Sequence, residues 1–598
     1  MEYRRMIVPM KKITLLCEAD RTDQALHVLQ QAGLAHLSIT ENPADADLEE
    51  AKETVQRLEH MLRALDSQDA PGTSSGDLPP EQAAARIWNA LQRQHKIRDE
   101  IQELEQKIQR IQPFGDFDPS SIRELGKNGV HIVLCSVPVN QEVELAAQTV
   151  RVELGADRSD RYLALFSLEK ISPPGHELPL PDQGLTELNR RLAELKEEKA
   201  SLTEDIASLS AYRPHIHDLL VQARDRREFA RVKAGLQTWG PVAAVQGFVP
   251  EHRLQTAADL ARNHGWGLKA VDPSPEDDPP TLIQTPAWAR PIQAVFRLIN
   301  IVPGYREADI SAPFLLFLSL FFAMIIGDAG YGILFLILTF LGRGFLHRLQ
   351  AELVPFLFIM SLATVIWGLI TGNVLGMSPD TPVFASFQIH WLAGPGAEDR
   401  LMLLCFLLGA VHLSLAHVWQ ILLRWPSLQI VAQIGWLMLT WVMFFAARSL
   451  VLMHDFPPWT LGLLGSGLLL VVAFMLPVRT AFQQWTEYIR LPLDIISQFV
   501  DLVSYIRLFA VGTATFAVAQ AFNQMAADLG FNSLVSTLGA AAILFLGHSM
   551  NIALAAMGVL VHGVRLNTLE FATHAGITWS GTRFQPFAAH KTKEQTWT

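Results

Sequence analysis

The sequence predicts a multi-domain protein in which cytoplasmic α+β lobes, joined by an antiparallel coiled-coil arm, precede an all-α polytopic membrane domain. That domain is expected to have about eight helices and to end in two long tilted ones. Three observations carry the prediction. Residues 1 to about 305 are charged and heptad-patterned, whereas the rest is mostly long apolar runs. Between Lys269 and Lys591 there is no lysine at all. Two arginines, Arg507 and Arg565, nevertheless lie inside the last two apolar runs, where a permanent charge is costly. The mean hydropathy of +0.21 and the formal charge of −11 average over these unlike halves.

The first half, 1–280, reads as an arm. The stretch 8–40 has a β-rich run, an amphipathic stretch and Gly33 as a stop before a second β-run, and 239–271 repeats that plan. These βαβ halves, 1–45 and 236–271, are expected to pair into one proximal lobe. Ile97, Ile101, Leu104, Ile108 and Ile111 recur at alternating steps of four and three. Leu185, Leu188, Leu192 and Leu195, then Leu202, Ile206 and Leu209, do the same, with Lys199 filling one seam position. Segments 46–112 and 182–235 are therefore the two coiled-coil strands, and 113–181, with its own β-runs, is a distal α/β lobe. A pair of amphipathic helices in a compact domain is the plainer alternative. Residues 67–80 read as a flexible break and 272–280 as the linker to the second half.

Composition excludes several classes. There is no phosphate-binding G-x-x-x-x-G-K-[ST] loop, no H-E-x-x-H and no nucleophile elbow, so no catalytic site, cofactor or metal is expected. Cys17, Cys135 and Cys405 have no paired spacing. The acidic balance argues against nucleic acid. The N-terminus is too charged for a signal peptide, so the arm is expected to stay in the cytoplasm.

In 281–598 the candidate spans are 313–326, 328–342, 354–376, 401–423, 431–452, 460–477, 494–527 and 534–572. The first two are one run broken at Gly327–Gly332, each half too short for a straight crossing. Loops expected on the cytoplasmic side carry Arg343, Arg348, Arg424, Arg479 and Arg490, and the tail carries Arg583, Lys591 and Lys593. Opposite loops carry Asp380, Glu398, Asp399, His454 and Asp455, with Arg400 as their one positive charge. This asymmetry puts both termini on the cytoplasmic side of a multi-pass protein. Arg448 is the exception, explained by snorkelling.

The polar residues inside the final spans are the candidate site: Arg507 and Arg565, with Asp501, Gln520, His548, Asn551, His562 and Glu570 in support. Arg507 as a structural arginine paired to Asp501 or Asp494, and Arg565 as a snorkelling residue with Glu570 as its partner, are the bland alternatives. His548 with Asn551, and His562 with Arg565, are i,i+3 pairs. Asp328 either caps a helix or lines an aqueous access. For His412 and His417 the structural reading is preferred.

GDAGYG after the first run, LDIISQFVDLVSYIRLFAVGTATFAVAQAFN, and GHSMNIALAAMGVLVHGVRLNTLEF with a terminal RFQPF together resemble the membrane stator subunit of V-type and A-type rotary ATPases, subunit I or subunit a. The likeness covers nearly the whole chain. It departs at HGVRLNTLEF, where the family usually has H-S-x-R-L-H-Y-V-E-F, and in the segment after it. The resemblance implies that Arg507 faces the carboxylate of a proteolipid rotor ring, with Arg565 as the second arginine. It implies ion half-channels that couple H⁺ or Na⁺ movement to ATP synthesis or hydrolysis. Implied partners are peripheral-stalk subunits on the arm, a central-stalk cap subunit and, indirectly, nucleotide-binding subunits, in the cell inner (plasma) membrane. A self-contained secondary transporter is the competing class.

Overall fold

The computed structural model describes residues 7–38, 45–66, 78–141, 148–377, 388–392, 394–476 and 486–590. Arg479, Asp380, Lys591 and Lys593, and most of the break at 67–80, lie outside the described residues. The chain forms two compact units, one of residues 16–245 with 586–598, the other of 1–15 with 246–585. A five-stranded sheet has the order β2-β8-β1-β9, with β7 beside β8. Its strands are β1 (Met10–Glu18), β2 (His36–Leu37), β7 (Gln237–Trp239), β8 (Val242–Pro250) and β9 (Gly267–Val271). In β1 the alternation of the pleat buries Ile13, Leu15 and Cys17. Helix α1 (Thr22–Ala32) stops at Gly33, whose φ of 59° lets its N–H close on Leu29 O.

In the first unit, α2 (Ala46–Asp66) packs on α6 (Arg213–Ala234), and α3 (Pro80–Ile111) on α5 (Leu185–Ser208). The heptad apolar positions make the seam: Ile97, Ile101 and Leu195 bury together, and Ile87, Ile206 and Ile216 extend it. Arg93 clamps Glu198 across the pair at 2.7 and 2.9 Å. Lys199 is exposed and not a seam residue. An ammonium beside that apolar row stays in water, and Leu202 carries the contact instead. Beyond the helices, β3 (His131–Pro138), β4 (Val150–Ala156), β5 (Asp160–Ser167) and β6 (His176–Leu178) form a sheet of order β4-β5-β3-β6. Beside it, α4 (Pro119–Lys127) is capped by Asp118.

The second unit is helical after β9. Its principal helices are α9 (Ser311–Ile326), α10 (Ala329–Leu349), α11 (Leu353–Thr371), α12 (Ala397–Leu423), α13 (Gln429–Leu452), α14 (Trp459–Phe474), α15 (Thr486–Val503), α16 (Ile506–Leu529) and α17 (Leu534–Gly558), with α7 (Leu254–Asn263) and α8 (Gln293–Leu298) before them. Among the described residues, six helical tracts are long and apolar enough to cross a membrane, and Ser311–Ile326 and Trp459–Phe474 are shorter. All eight expected segments are helical, but two of them, at about 24 Å, fall short of a hydrocarbon core of about 30 Å. The break at Gly327 separates one short helix from one of 21 residues, not two short ones. Helix α10 runs on through Gly342 and Gly344 because its backbone bonds continue past the end of the apolar run. The last two tracts, Thr486–Leu529 and Leu534–His574, have 44 and 41 residues.

Candidate functional site

The site begins with a flaw in a helix. Between α15 and α16 the hydrogen bonds tighten: Tyr505 N reaches Leu502 O, and Arg507 N reaches Ser504 O. That carbonyl also accepts from Arg507 Nε at 2.9 Å, so the break itself aims the guanidinium. Tyr505 is fully buried, with its hydroxyl 2.8 Å from His412 Nδ1. The His412 ring stacks between Phe317 and Phe571, at centroid distances of 3.9 and 4.3 Å. This pins the break from behind and makes His412 a packing residue.

The facing strand of the site is wound differently. After α17 the backbone makes π turns at Val559–Gly563 and Leu566–Phe571. In an α-helix, residues five apart point well away from each other, whereas a π turn brings them towards one face. Arg565 and Glu570 are such a pair, and Arg565 Nε lies 3.7 Å from Glu570 Oε1. The same oxygen takes Arg507 Nη2 at 2.5 Å and Ser504 Oγ at 3.3 Å. Glu570 is 5% exposed, Arg507 22% and Arg565 55%. Two guanidiniums thus share one carboxylate, which leaves one positive charge in excess. Glu570 Oε2 is buried and has no partner among the described residues.

Neither Asp501 nor Asp494 pairs with Arg507. The acid on Arg507 is Glu570, which spacing assigns to Arg565 alone. Asp501 instead lies 3.2 Å from His574 Nε2. The remaining candidates separate into different places. Asn551 donates to Tyr331 Oη at 3.0 Å, and Tyr331 Oη is 2.6 Å from His548 Nδ1. His548 Nε2 is 3.2 Å from Asn523 Oδ1, and Asn551 also donates to Thr515 O at 2.9 Å. A groove of about 400 Å³ between α16 and α17 runs from Asn551 to His562. Asn551 Oδ1 and His562 Nδ1 are buried without partners among the described residues. His562 makes no hydrogen bond to Arg565. Gln520 is exposed and belongs to neither cluster.

Asp328 is a cap. Its carboxylate accepts from Gly330 N and Tyr331 N at the start of α10, and from Leu375 N and Gly376 N after α11. It is buried, which fits the capping alternative. The residues that sequence reasoning missed are Tyr331, Tyr505, Ser504 and His574. Three of them stand in quoted segments, Tyr331 in GDAGYG and Ser504 and Tyr505 in LDIISQFVDLVSYIRLFAVGTATFAVAQAFN, which was the available signal.

Apolar helices of membrane length around a shared arginine–glutamate cluster define a polytopic membrane protein. No family model matches the chain. It is 30% identical to V-type ATP synthase subunit I 1 of Treponema pallidum, over 97% of this chain and 100% of that one. It is 28% identical to V-type ATP synthase subunit I of Borreliella burgdorferi, over 98% and 100%. A-type ATP synthase subunit I of Methanocaldococcus jannaschii matches 58% of this chain and 55% of its own length at 23% identity. A solved structure of the cytoplasmic N-terminal domain of subunit I, homolog of subunit a, of V-ATPase matches 44% of this chain at 18% identity and a TM-score of 0.22, too low to establish a shared fold. The chain belongs to the V-type/A-type ATP synthase subunit I family, and is a membrane stator subunit.

Proposed function

We propose that this subunit supplies two offset ion half-channels against a proteolipid rotor ring, with Arg507 between them. The observation that carries the proposal is the shared carboxylate. Glu570 holds Arg507 by a 2.5 Å hydrogen bond and lies 3.7 Å from Arg565, so two cations stand on one carboxylate and the remaining positive charge attracts one further acid. A permanent lock of Arg507 onto an internal acid would argue against a rotary role; the acid on Arg507 is Glu570, which also lies 3.7 Å from Arg565, so this reading requires the Arg507–Glu570 pair to open to the rotor carboxylate.

The chemistry follows from elementary electrostatics. A rotor carboxyl that meets the arginine is favoured in its ionised form and gives up its ion. Once charged it cannot move back into hydrocarbon, so it reloads from the other half-channel before rotating on. Arginine suits the task because it keeps its charge and does not relay protons. The Asn551–Tyr331–His548 cluster and the groove to His562 support one half-channel, on the α17 N-terminal side of Arg507. Arg565 holds the second position on Glu570. Gln520 stays a lining candidate because it is exposed on the same helix.

In this reading the chain lies in the cell inner membrane with arm and C-terminus cytoplasmic, and couples H⁺ or Na⁺ movement to ATP hydrolysis or synthesis on other chains. Its arm, 1–280 with proximal and distal lobes, holds the peripheral stalks. A central-stalk cap subunit docks beside the rotor, and nucleotide-binding subunits act through the complex. Arg507→Ala, in the assembled complex reconstituted into lipid vesicles, is expected to abolish ATP-driven ion transport while assembly persists. Normal coupled transport in that variant overturns the proposal.

A further inference from the structure

A second pairing lies one helical turn from the arginine cluster. Ser504 faces Glu570 at 3.3 Å, and Asp501 faces His574 at 3.2 Å. Asp501 precedes Ser504 by three residues and His574 follows Glu570 by four, so each step is about one turn, roughly 5 Å. The two contacts are rungs between facing helices. They lead from Arg507 towards the end of the pair that carries Arg490 and the C-terminal tail, away from the His548 cluster. The outer rung is not sealed inside the chain: the Asp501 side chain is 27% exposed and that of His574 11%.

The chemistry of the outer rung is directional. A carboxylate only accepts, so His574 Nε2 carries the hydrogen and Nδ1 is the basic nitrogen. Its neighbour His417 lies edge-on at 5.2 Å, is 3% exposed and has Gln433 and Gln498 against its two ring nitrogens. Nδ1 sits 3.0 Å from Gln433 Oε1, and Nε2 is 3.5 Å from Gln498 Nε2. His417 is thus a wall and His574 the available base. The titratable and charged groups facing His574 are Asp501 on α15, His417 and the deeper His412 on α12, and Glu570 and the arginines it holds.

We infer that His574, oriented by Asp501, accepts the ion released at Arg507 on this side, and that this ion is a proton. The inference rests on the half-channel reading. In the synthesis direction, which ATP-driven transport reverses step for step, a rotor carboxylic acid meets Arg507, its O–H bond breaks and the carboxylate stays beside the guanidinium. Water carries the proton to His574 Nδ1, where an N–H bond forms, and the imidazolium is held by Asp501. That N–H bond then breaks to bulk water and the neutral ring returns, with no electron transferred. An imidazole base serves a proton and has no use to an alkali cation.

The test uses the whole complex in lipid vesicles, with ATP-driven proton uptake read by quenching of a permeant amine dye across the neutral pH range. Both His574→Ala and His574→Gln are expected to lower uptake by about a hundredfold, the low end for loss of a positioned proton carrier, and to flatten its pH profile. Glutamine keeps an N–H for Asp501, so it rescues a merely structural role and not a relay. Added imidazole is expected to restore uptake in His574→Ala. Wild-type uptake with an unchanged pH profile in His574→Gln overturns the inference, as does ATP-driven uptake of tracer sodium in place of protons. Arg507→Ala separates the two readings. If it is silent while His574→Gln is normal, only the relay fails; if it transports normally, both fail.

Discussion

Glu570 Oε1 lies 2.5 Å from Arg507 Nη2, across 63 residues of chain, and also holds Arg565. One carboxylate therefore positions Arg507 by a hydrogen bond and lies within ion-pair reach of Arg565. Glu570→Gln keeps the shape and removes the charge, leaving Arg507 without its anion. The expected destabilisation is about 2 kcal/mol, below the roughly 3–5 kcal/mol of a fully buried pair because Arg507 retains some solvent contact. Thermal unfolding of the purified chain in detergent measures it. Coupled transport is expected to fall along with stability, and Glu570→Asp to recover part of both. An unchanged melting temperature in Glu570→Gln would mean the ion pair does not hold the site.

Asp328 tests the opposite case, a buried acid with a structural task. Its carboxylate serves four backbone N–H groups, two on each side of the α10–α11 contact. Asp328→Ala orphans them all and is expected to cost about 3 kcal/mol. Asp328→Asn keeps one acceptor oxygen and should lose less. Transport per assembled complex should be unchanged in Asp328→Asn. Loss of transport in fully assembled complex would return this residue to an aqueous path.

The contrast between these two acids shows where sequence reasoning stopped. Heptad steps at Ile97 and Ile101, and apolar runs of membrane length, are local periodicities, so they are legible without a fold. The length of α10 was not, because Gly342, Arg343 and Gly344 end the apolar run but not the helix. The Arg507–Glu570 pair was illegible for a different reason. Its two residues are on separate helices, and the i,i+5 relation of Arg565 to Glu570 gains meaning only from π winding. Tyr331 and Tyr505 read as apolar core until a histidine, half-buried at His548 and fully buried at His412, is found at each hydroxyl. His574 needed Asp501, which only the packing of facing helices supplies.

The arm offers a pH prediction. At the start of α4, Asp118 accepts from the Ser120 hydroxyl at 2.6 Å, from Ser120 N at 2.9 Å and from the Ser121 hydroxyl at 2.8 Å. These bonds hold its carboxyl down to about 2. A lowered folded value means that the cap stabilises fully above the unfolded value of about 3.9, and that this support is lost as pH falls from there through about 2. Hydrogen exchange of amides 120–127 is expected to quicken over that window beyond the intrinsic pH effect. Asp118→Ala should remove the window altogether, and a window that persists in the variant would assign it to another group.

The groove beside Arg507 gives the last test, because it asks which surface meets the rotor. Ala510, Ala514 and Val518 on α16 and Leu554, Met557 and Val561 on the facing helix line about 400 Å³ of open space. Ala514 is exposed, so a larger side chain there meets no backbone of its own subunit and should leave the chain's melting temperature unchanged. A neighbouring helix seated in the groove would instead collide with it, and overpacking of a close contact costs about 1–3 kcal/mol. Ala514→Trp is therefore expected to lose ATP-driven transport in the assembled complex, with Ala514→Ser near wild type. If the tryptophan variant transports normally, the groove faces lipid, and the carboxylate drawn by the surplus charge at Arg507 must approach from the opposite side of the helix pair.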